Sequence, residues 1–133
     1  MTPARFMLDT DTCSFIIRGG SETLREKVER HANSLCVSAV TEAELRFGAK
    51  RRGSARITSA VEFFLNLVEI VPWGGAAARR YAEIRTALEV AGTPIGNMDM
   101  LIAASSLAEE CRLVSHNIAH FSRVPGLVIE DWA

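Results

Sequence analysis

The sequence predicts an α/β chain: three layers, α/β/α, around a central, mostly parallel sheet of four to five short strands. Two observations predict it. Apolar runs of three or four residues recur along the chain, each too short for a helix and each closed by a polar or turn residue, and the stretches between them have helical periodicity. Short, fully apolar strands alternating with helices imply a parallel sheet covered on both faces. The 133 residues, 48% hydrophobic and 23% charged, suit one compact domain over residues 1–133.

Each element has its own signal. Phe6, Met7 and Leu8 form a first buried strand that ends at Asp9, and Leu35, Cys36 and Val37 form a second that ends at Ser38. Between them a capping serine and a strongly charged face make Ser21 to His31 a surface helix. Val40 to Lys50 reads as a helix. Ala55 to Leu67 reads as another, with Ile57, Val61, Phe64, Leu65 and Val68 as its apolar stripe. Glu69 to Val71 fits a third strand, stopped by Pro72. Ala76 to Ala91 is the clearest helix, because Ala77, Tyr81, Ile84, Leu88 and Ala91 share a face while Arg85 and Glu89 pair at i, i+4. Gly92 and Pro94 end it. Met98 to Leu107, apolar nearly all round, reads as a buried helix, and Arg112 to Ser115 and Leu127 to Ile129 supply the last strands. In a parallel sheet the functional crevice lies beyond the C-terminal strand ends, so Asp9, Ser38 and Ser115 to Asn117 should converge on one edge.

Charge and cysteine usage exclude several classes of function. Fifteen basic against sixteen acidic residues give a net charge of -1, so a polyanion would have to be met by a local patch. Three cysteines, Cys13, Cys36 and Cys111, lack the pairing of a disulfide scaffold or a zinc cage, which points to a reducing, cytoplasmic setting. No apolar run approaches the roughly 20 residues of a membrane span, and no secretory signal region is expected at the N-terminus.

Acidic side chains are supplied mostly by glutamate; only four aspartates occur, at 9, 11, 99 and 131, so each calls for a reason. Asp9, directly after a strand, suits either a helix N-cap or a hard oxygen ligand for Mg²⁺ or Mn²⁺; Asp11 or Thr12 could cap in its place. Glu42 has Arg46 four residues on, the arrangement of a solvated ion pair. Glu44 lies toward the packed side, either in a capping box with Thr41 or as a ligand. Asp99 leads a helix that is otherwise apolar, where the helix dipole or a shared cation would favour it. Three carboxylates at one strand edge repel one another unless a divalent cation joins them. Such a cation favours phosphodiester hydrolysis, because it lowers the pKa of bound water and stabilises charge on phosphoryl oxygens. Asn117 fits either a hydrogen bond to a metal-bound water or a plain turn. Arg46, Lys50, Arg51, Arg52 and Arg56 lie in a stretch without acids, the pattern of a solvated helix end or of a phosphate contact surface. His116 and His120 lack further soft ligands nearby, so zinc is not expected. Trp73 and Trp132 read as core aromatics.

Phe6 to Thr10, Val40 to Gly48, Pro94 to Ala104, Arg112 to Asn117 and Gly126 to Trp132, in that order, resemble the VapC toxins of type II toxin-antitoxin pairs, which are PIN-domain ribonucleases. The resemblance covers almost the whole chain. It implies a PIN-like fold and a metal-dependent endoribonuclease that cleaves RNA, often transfer RNA, until a cognate VapB-type antitoxin fills the active-site groove. The family's acidic residues fall on Asp9, Glu44 and Asp99, which would hold Mg²⁺, with Mn²⁺ as a substitute, while Arg46 and the segment from Lys50 to Arg56 steer RNA. Many PIN domains carry a fourth acid where this chain has Asn117, a departure that implies one firmly held cation. The family commonly forms homodimers. The Pro94-Ile95-Gly96 form of the Asp99 motif looks most like the subgroup acting on initiator transfer RNA.

Two rival readings follow from the residues. Asp9-Thr10-Asp11-Thr12 also fits the start of haloacid-dehalogenase-like phosphatases, in which the first Asp is a phosphoryl nucleophile, yet that chemistry needs a later lysine and a late acidic pair, no lysine follows Lys50, and the late strand ends in Ser115-His116-Asn117. The other rival is a non-catalytic PIN-like module that binds a protein partner. An unused cluster of repelling acids would be a stability liability for it.

Overall fold

The computed structural model describes residues 4–133. Five strands, β1 (Phe6–Leu8), β2 (Leu35–Ser38), β3 (Glu69–Val71), β4 (Arg112–Val114) and β5 (Ile129–Glu130), form one sheet in the order β3-β2-β1-β4-β5. Every pairing is parallel. Seven helices connect them among the described residues: α1 (Thr10–Ile17), α2 (Glu22–Arg30), α3 (Ala39–Arg52), α4 (Ala55–Leu67), α5 (Gly75–Ala91), α6 (Asn97–Ala108) and α7 (Ile118–Phe121).

Strand alternation sorts the core into two clusters. Met7, Cys36 and Leu113 point to one face, where Ile84 and Leu88 of α5, Ile102 and Ala103 of α6 and Phe121 of α7 cover them. Phe6, Leu8, Leu35, Val37 and Val114 point to the other face. There they meet Cys13, Leu24, Leu45, Phe64 and Leu65 from helices α1 to α4. The three-layer expectation therefore holds, with the sheet wholly parallel. Trp132 is buried among Phe6 and His31, each ring centroid 5.2 Å from its own, and its Nε1 donates to Glu130 Oε1 at 3.0 Å. Trp73 Nε1 donates to the Leu101 carbonyl at 2.9 Å, so both tryptophans pack as expected.

Local chemistry fixes the helix ends. Ser21, Ser38 and Ser54 each cap a helix through the side-chain oxygen, and Gly53 and Gly92 close α3 and α5 at φ of 66° and 70°, a conformation that disfavours a Cβ. Three expectations differ from what is seen. The last strand is Ile129–Glu130, two residues later than Leu127 to Ile129, and α3 starts at Ala39 because Ser38 caps it. Helix α1 was signalled only by the possible cap at Asp9, and α7 had no sequence signal of its own. No described helix is long and apolar enough to cross a membrane.

Candidate functional site

Because all strands run one way, their C-terminal ends share an edge, and β1 has β2 on one side and β4 on the other. The chain's excursions diverge there, which opens a crevice beyond the strand ends. Asp9 follows β1 at its centre and is 4% exposed. Its Oδ1 accepts from the Thr12 amide at 2.9 Å, and its Oδ2 accepts from Ser115 Oγ at 2.6 Å. Asp9 is thus itself the cap of α1. The expectation that Asp11 or Thr12 would cap in its place is corrected, because the helix begins at Thr10 and leaves neither before it. Ser115 Oγ accepts in turn from the Asn117 amide at 2.9 Å, so one carboxylate ties β1, α1 and the turn after β4.

Glu44 projects from the second turn of α3, where its Oε1 accepts from Thr10 Oγ1 at 2.6 Å. Thr41 Oγ1 lies 3.2 Å from the same hydroxyl. The alternative of a capping box with Thr41 is excluded, since Ser38 holds that position. Asp99 stands in the first turn of α6, behind a Gly96 cap that offers no side chain. Its Oδ2 is 3.9 Å from His120 Nδ1, whose ring is 2.9 Å from the Asn117 side-chain nitrogen.

Burial pushes the Asp99 carboxyl up, and the negative charges of Asp9, Asp11 and Glu44 push it the same way against the pull of His120. Burial also pushes Asp9 up, against the hydrogen bonds from Ser115 and Thr12. These acids therefore feel one another across the edge. Among the described residues, however, no three His, Cys, Asp or Glu side chains close into a single ligand shell. The donor set is oxygen only and mutually repelling, which fits a hard cation that keeps several of its waters and takes one or two carboxylates directly.

A protein-family model described as a PIN domain matches residues 6–127. The chain is 36% identical to the tRNA(fMet)-specific endonuclease VapC of Salmonella typhimurium over 96% of its own length and 98% of that protein's. The chain belongs to the VapC family of PIN-domain proteins. It is also 35% identical to Ribonuclease VapC2 of Rickettsia felis, over 96% of this chain and 97% of that one. Among solved structures it resembles the DNA-bound VapBC of Salmonella typhimurium, with a TM-score of 0.92 and 35% identity over 98% of this chain and 100% of that chain.

In this PIN domain the basic residues part company. Arg46 bonds Glu42 at 2.9 Å and also pairs with Glu62 of α4, so its charge is neutralised on the outer side of α3. Lys50 opens on the same side, into a groove of about 680 Å³ between α3 and α4. Arg52 instead shares a cleft of about 240 Å³ with Thr10 and Glu44. Arg51 and Arg56 are exposed and line neither. His116 pairs with Asp131 at 2.9 Å and His120 with Asn117, so the two histidines serve different neighbours.

Ser115, expected at this edge from its place at a strand end, is joined by Thr10 and His120, which were not singled out as site residues from the sequence. Thr10 adjoins Asp9, Ser115 ends a strand, and His120 lies three residues past Asn117; each position is a faint signal that only the fold makes specific.

The raised carboxyls make a prediction for the ion-free protein. A carboxyl raised by folding keeps protons that the unfolded chain releases, so its contribution is most favourable below the ordinary value of 3.8 and declines as pH rises through the raised folded value. Asp99→Asn removes that penalty. In EDTA its melting temperature should equal that of the parent near pH 3 and exceed it by a few degrees at pH 7. Thermal melts across that range check the sign, and a variant that melts lower at pH 7 than at pH 3, relative to the parent, contradicts it.

Proposed function

We propose that this chain is a Mg²⁺-dependent endoribonuclease toxin acting on RNA, with transfer RNA, initiator transfer RNA included, as its substrate class. A VapB-type antitoxin holds it in check, and the active form is a homodimer of a single PIN unit. The observation that carries this reading is the gathering of Asp9, Glu44 and Asp99, from three separate elements, at the divergent edge of a parallel sheet. Similarity to a tRNA(fMet)-specific endonuclease and to VapBC complexes supports the substrate class and the partner.

Asp99, half-buried and with no hydrogen-bond donor in range among the described residues, is the carboxylate most in need of a cation, and the charge of Asp9 is near enough to push its carboxyl up. Asp9 and Asp99 would hold Mg²⁺ or, in its place, Mn²⁺, and Glu44 would join through water. A divalent cation there supplies Lewis-acid stabilisation of the phosphoryl oxygens and an acidified water. Thr10 keeps Glu44 turned to the site, and Ser115 fixes the orientation of Asp9. The Asn117 amide, held by His120, is placed to orient a water or a phosphate oxygen. Arg52, with Lys50, Arg51 and Arg56 further out, supplies positive charge for the RNA backbone. A binding-only use of the site would leave the acids repelling one another with nothing gained.

Metal removal tests the reading. Cleavage of transfer RNA by the purified chain should proceed in Mg²⁺, vanish in EDTA and return when Mg²⁺ or Mn²⁺ is added back. Cleavage that persists in EDTA overturns it.

A further inference from the structure

We infer that Arg18 grips the backbone of bound RNA and sets its affinity; this rests on the nuclease reading above and deepens it by naming where the strand runs. Helix α1 opens at Asp9 and closes at Arg18, about 13 Å further along its axis at 1.5 Å per residue. A cleft lies on each side of it. The first, about 240 Å³, has Thr10, Glu44 and Arg52 at its polar wall and Ile17, Leu45 and Ile57 in its floor. The second, about 270 Å³, has Asp11, Thr12, His116 and Asp131 as polar lining and Phe15, Leu24 and Trp132 as apolar lining. The first includes Glu44 of the acidic edge, and the second is lined by Asp11 and His116, which lie two residues after Asp9 and one after Ser115. Arg18 is the residue that lines both.

Arg18 carries an unpaired charge, as does Arg52 in the first cleft, among the described residues. Arg46 and Arg112 are neutralised by glutamates, whereas among the described residues no acid lies within ion-pair distance of Arg18. Its guanidinium carbon stands 6.0 Å from the centre of the Phe15 ring, a contact that orients the fork and leaves the charge unspent. A planar, exposed guanidinium matches phosphate oxygens, and apolar-floored clefts accept the faces of unpaired bases. An RNA strand with its scissile phosphate at the acidic edge and its neighbouring nucleotides in the Glu44 cleft would therefore pass Arg18. A protein segment in the same place would need an acid opposite Arg18 and a cation toward Asp99.

The test measures binding and turnover separately, with transfer RNA as the probe. On the Asp99→Asn background, Arg18→Ala should weaken RNA binding by about tenfold and flatten the slope of log affinity against log salt by about 0.7, the value for one single-strand phosphate contact. In the cleaving enzyme the same change should raise KM about tenfold with kcat within about twofold, Arg18→Lys should recover part of the affinity, and the melting temperature should not move. Unchanged binding and KM, or a loss confined to kcat, overturns the inference. So does a loss of antitoxin affinity with RNA affinity intact, which would assign Arg18 to the protein interface. A parent chain that neither binds nor cuts RNA defeats the nuclease reading itself, a result distinct from a parent that binds and an Arg18→Ala variant that binds equally well.

Discussion

Asp99→Asn is expected to lower RNA cleavage in saturating Mg²⁺ by at least about 100-fold. The amide keeps the shape of the side chain and removes the charge, so the loss reports electrostatics at the metal rather than packing. Deleting a ligand charge removes on the order of 3 kcal/mol of transition-state stabilisation, and each 1.36 kcal/mol is a factor of ten in rate. The variant should also lose the rise in melting temperature that Mn²⁺ gives the parent by linkage, while gaining stability in EDTA as argued above. These two shifts have opposite signs, so a merely misfolded variant cannot imitate them. Cleavage within tenfold of the parent would remove Asp99 from the site.

Trp132→Ala is expected to cost about 3 to 5 kcal/mol, the range for truncating a large buried aromatic. For a domain of this size that is a fall of about 10 to 20 °C in melting temperature, read by thermal or urea unfolding. The indole is 2% exposed, next to Phe6 of the central strand and His31 after α2, so its removal opens a cavity under two elements at once. It also strips Glu130 of the donor that, ahead of Arg112, holds that carboxyl below its ordinary value. A fall of less than about 3 °C would mean that the C-terminal residues are not part of the core.

The sequence showed the strands and long helices because their residues obey one period each, as Phe6 to Leu8 and Ala76 to Ala91 do. Helix α1 was hidden because Phe15, Ile16 and Ile17 form an unbroken apolar run and Thr10 and Thr12 favour extended backbone; the Asp9 cap and the packing of Cys13 decide otherwise. Helix α7, one turn long, has no period to read. The acids were legible for a different reason. Asp99 is out of place at the head of an apolar helix, and Glu44 lies on the packed side of α3. The pairing of Arg46 with Glu42 was legible, but its second partner, Glu62, comes from the next helix, and a contact between helices has no local signature. Ser115 was expected at the edge from its strand end, but its carboxylate partner was not, and His120 escaped because an imidazole in a turn has no local signature until another element brings a carboxylate to it.

Asp9 both starts a helix and sits at the acidic edge, and asparagine starts helices as well as aspartate does. The two codons differ by a single base. If the chain poisons the cell that makes it, the commonest escape lesion at this codon should be one that disarms the protein and leaves it folded, abundant and still able to occupy its antitoxin. Such alleles would act in trans on intact copies in the same cell by drawing off their inhibitor.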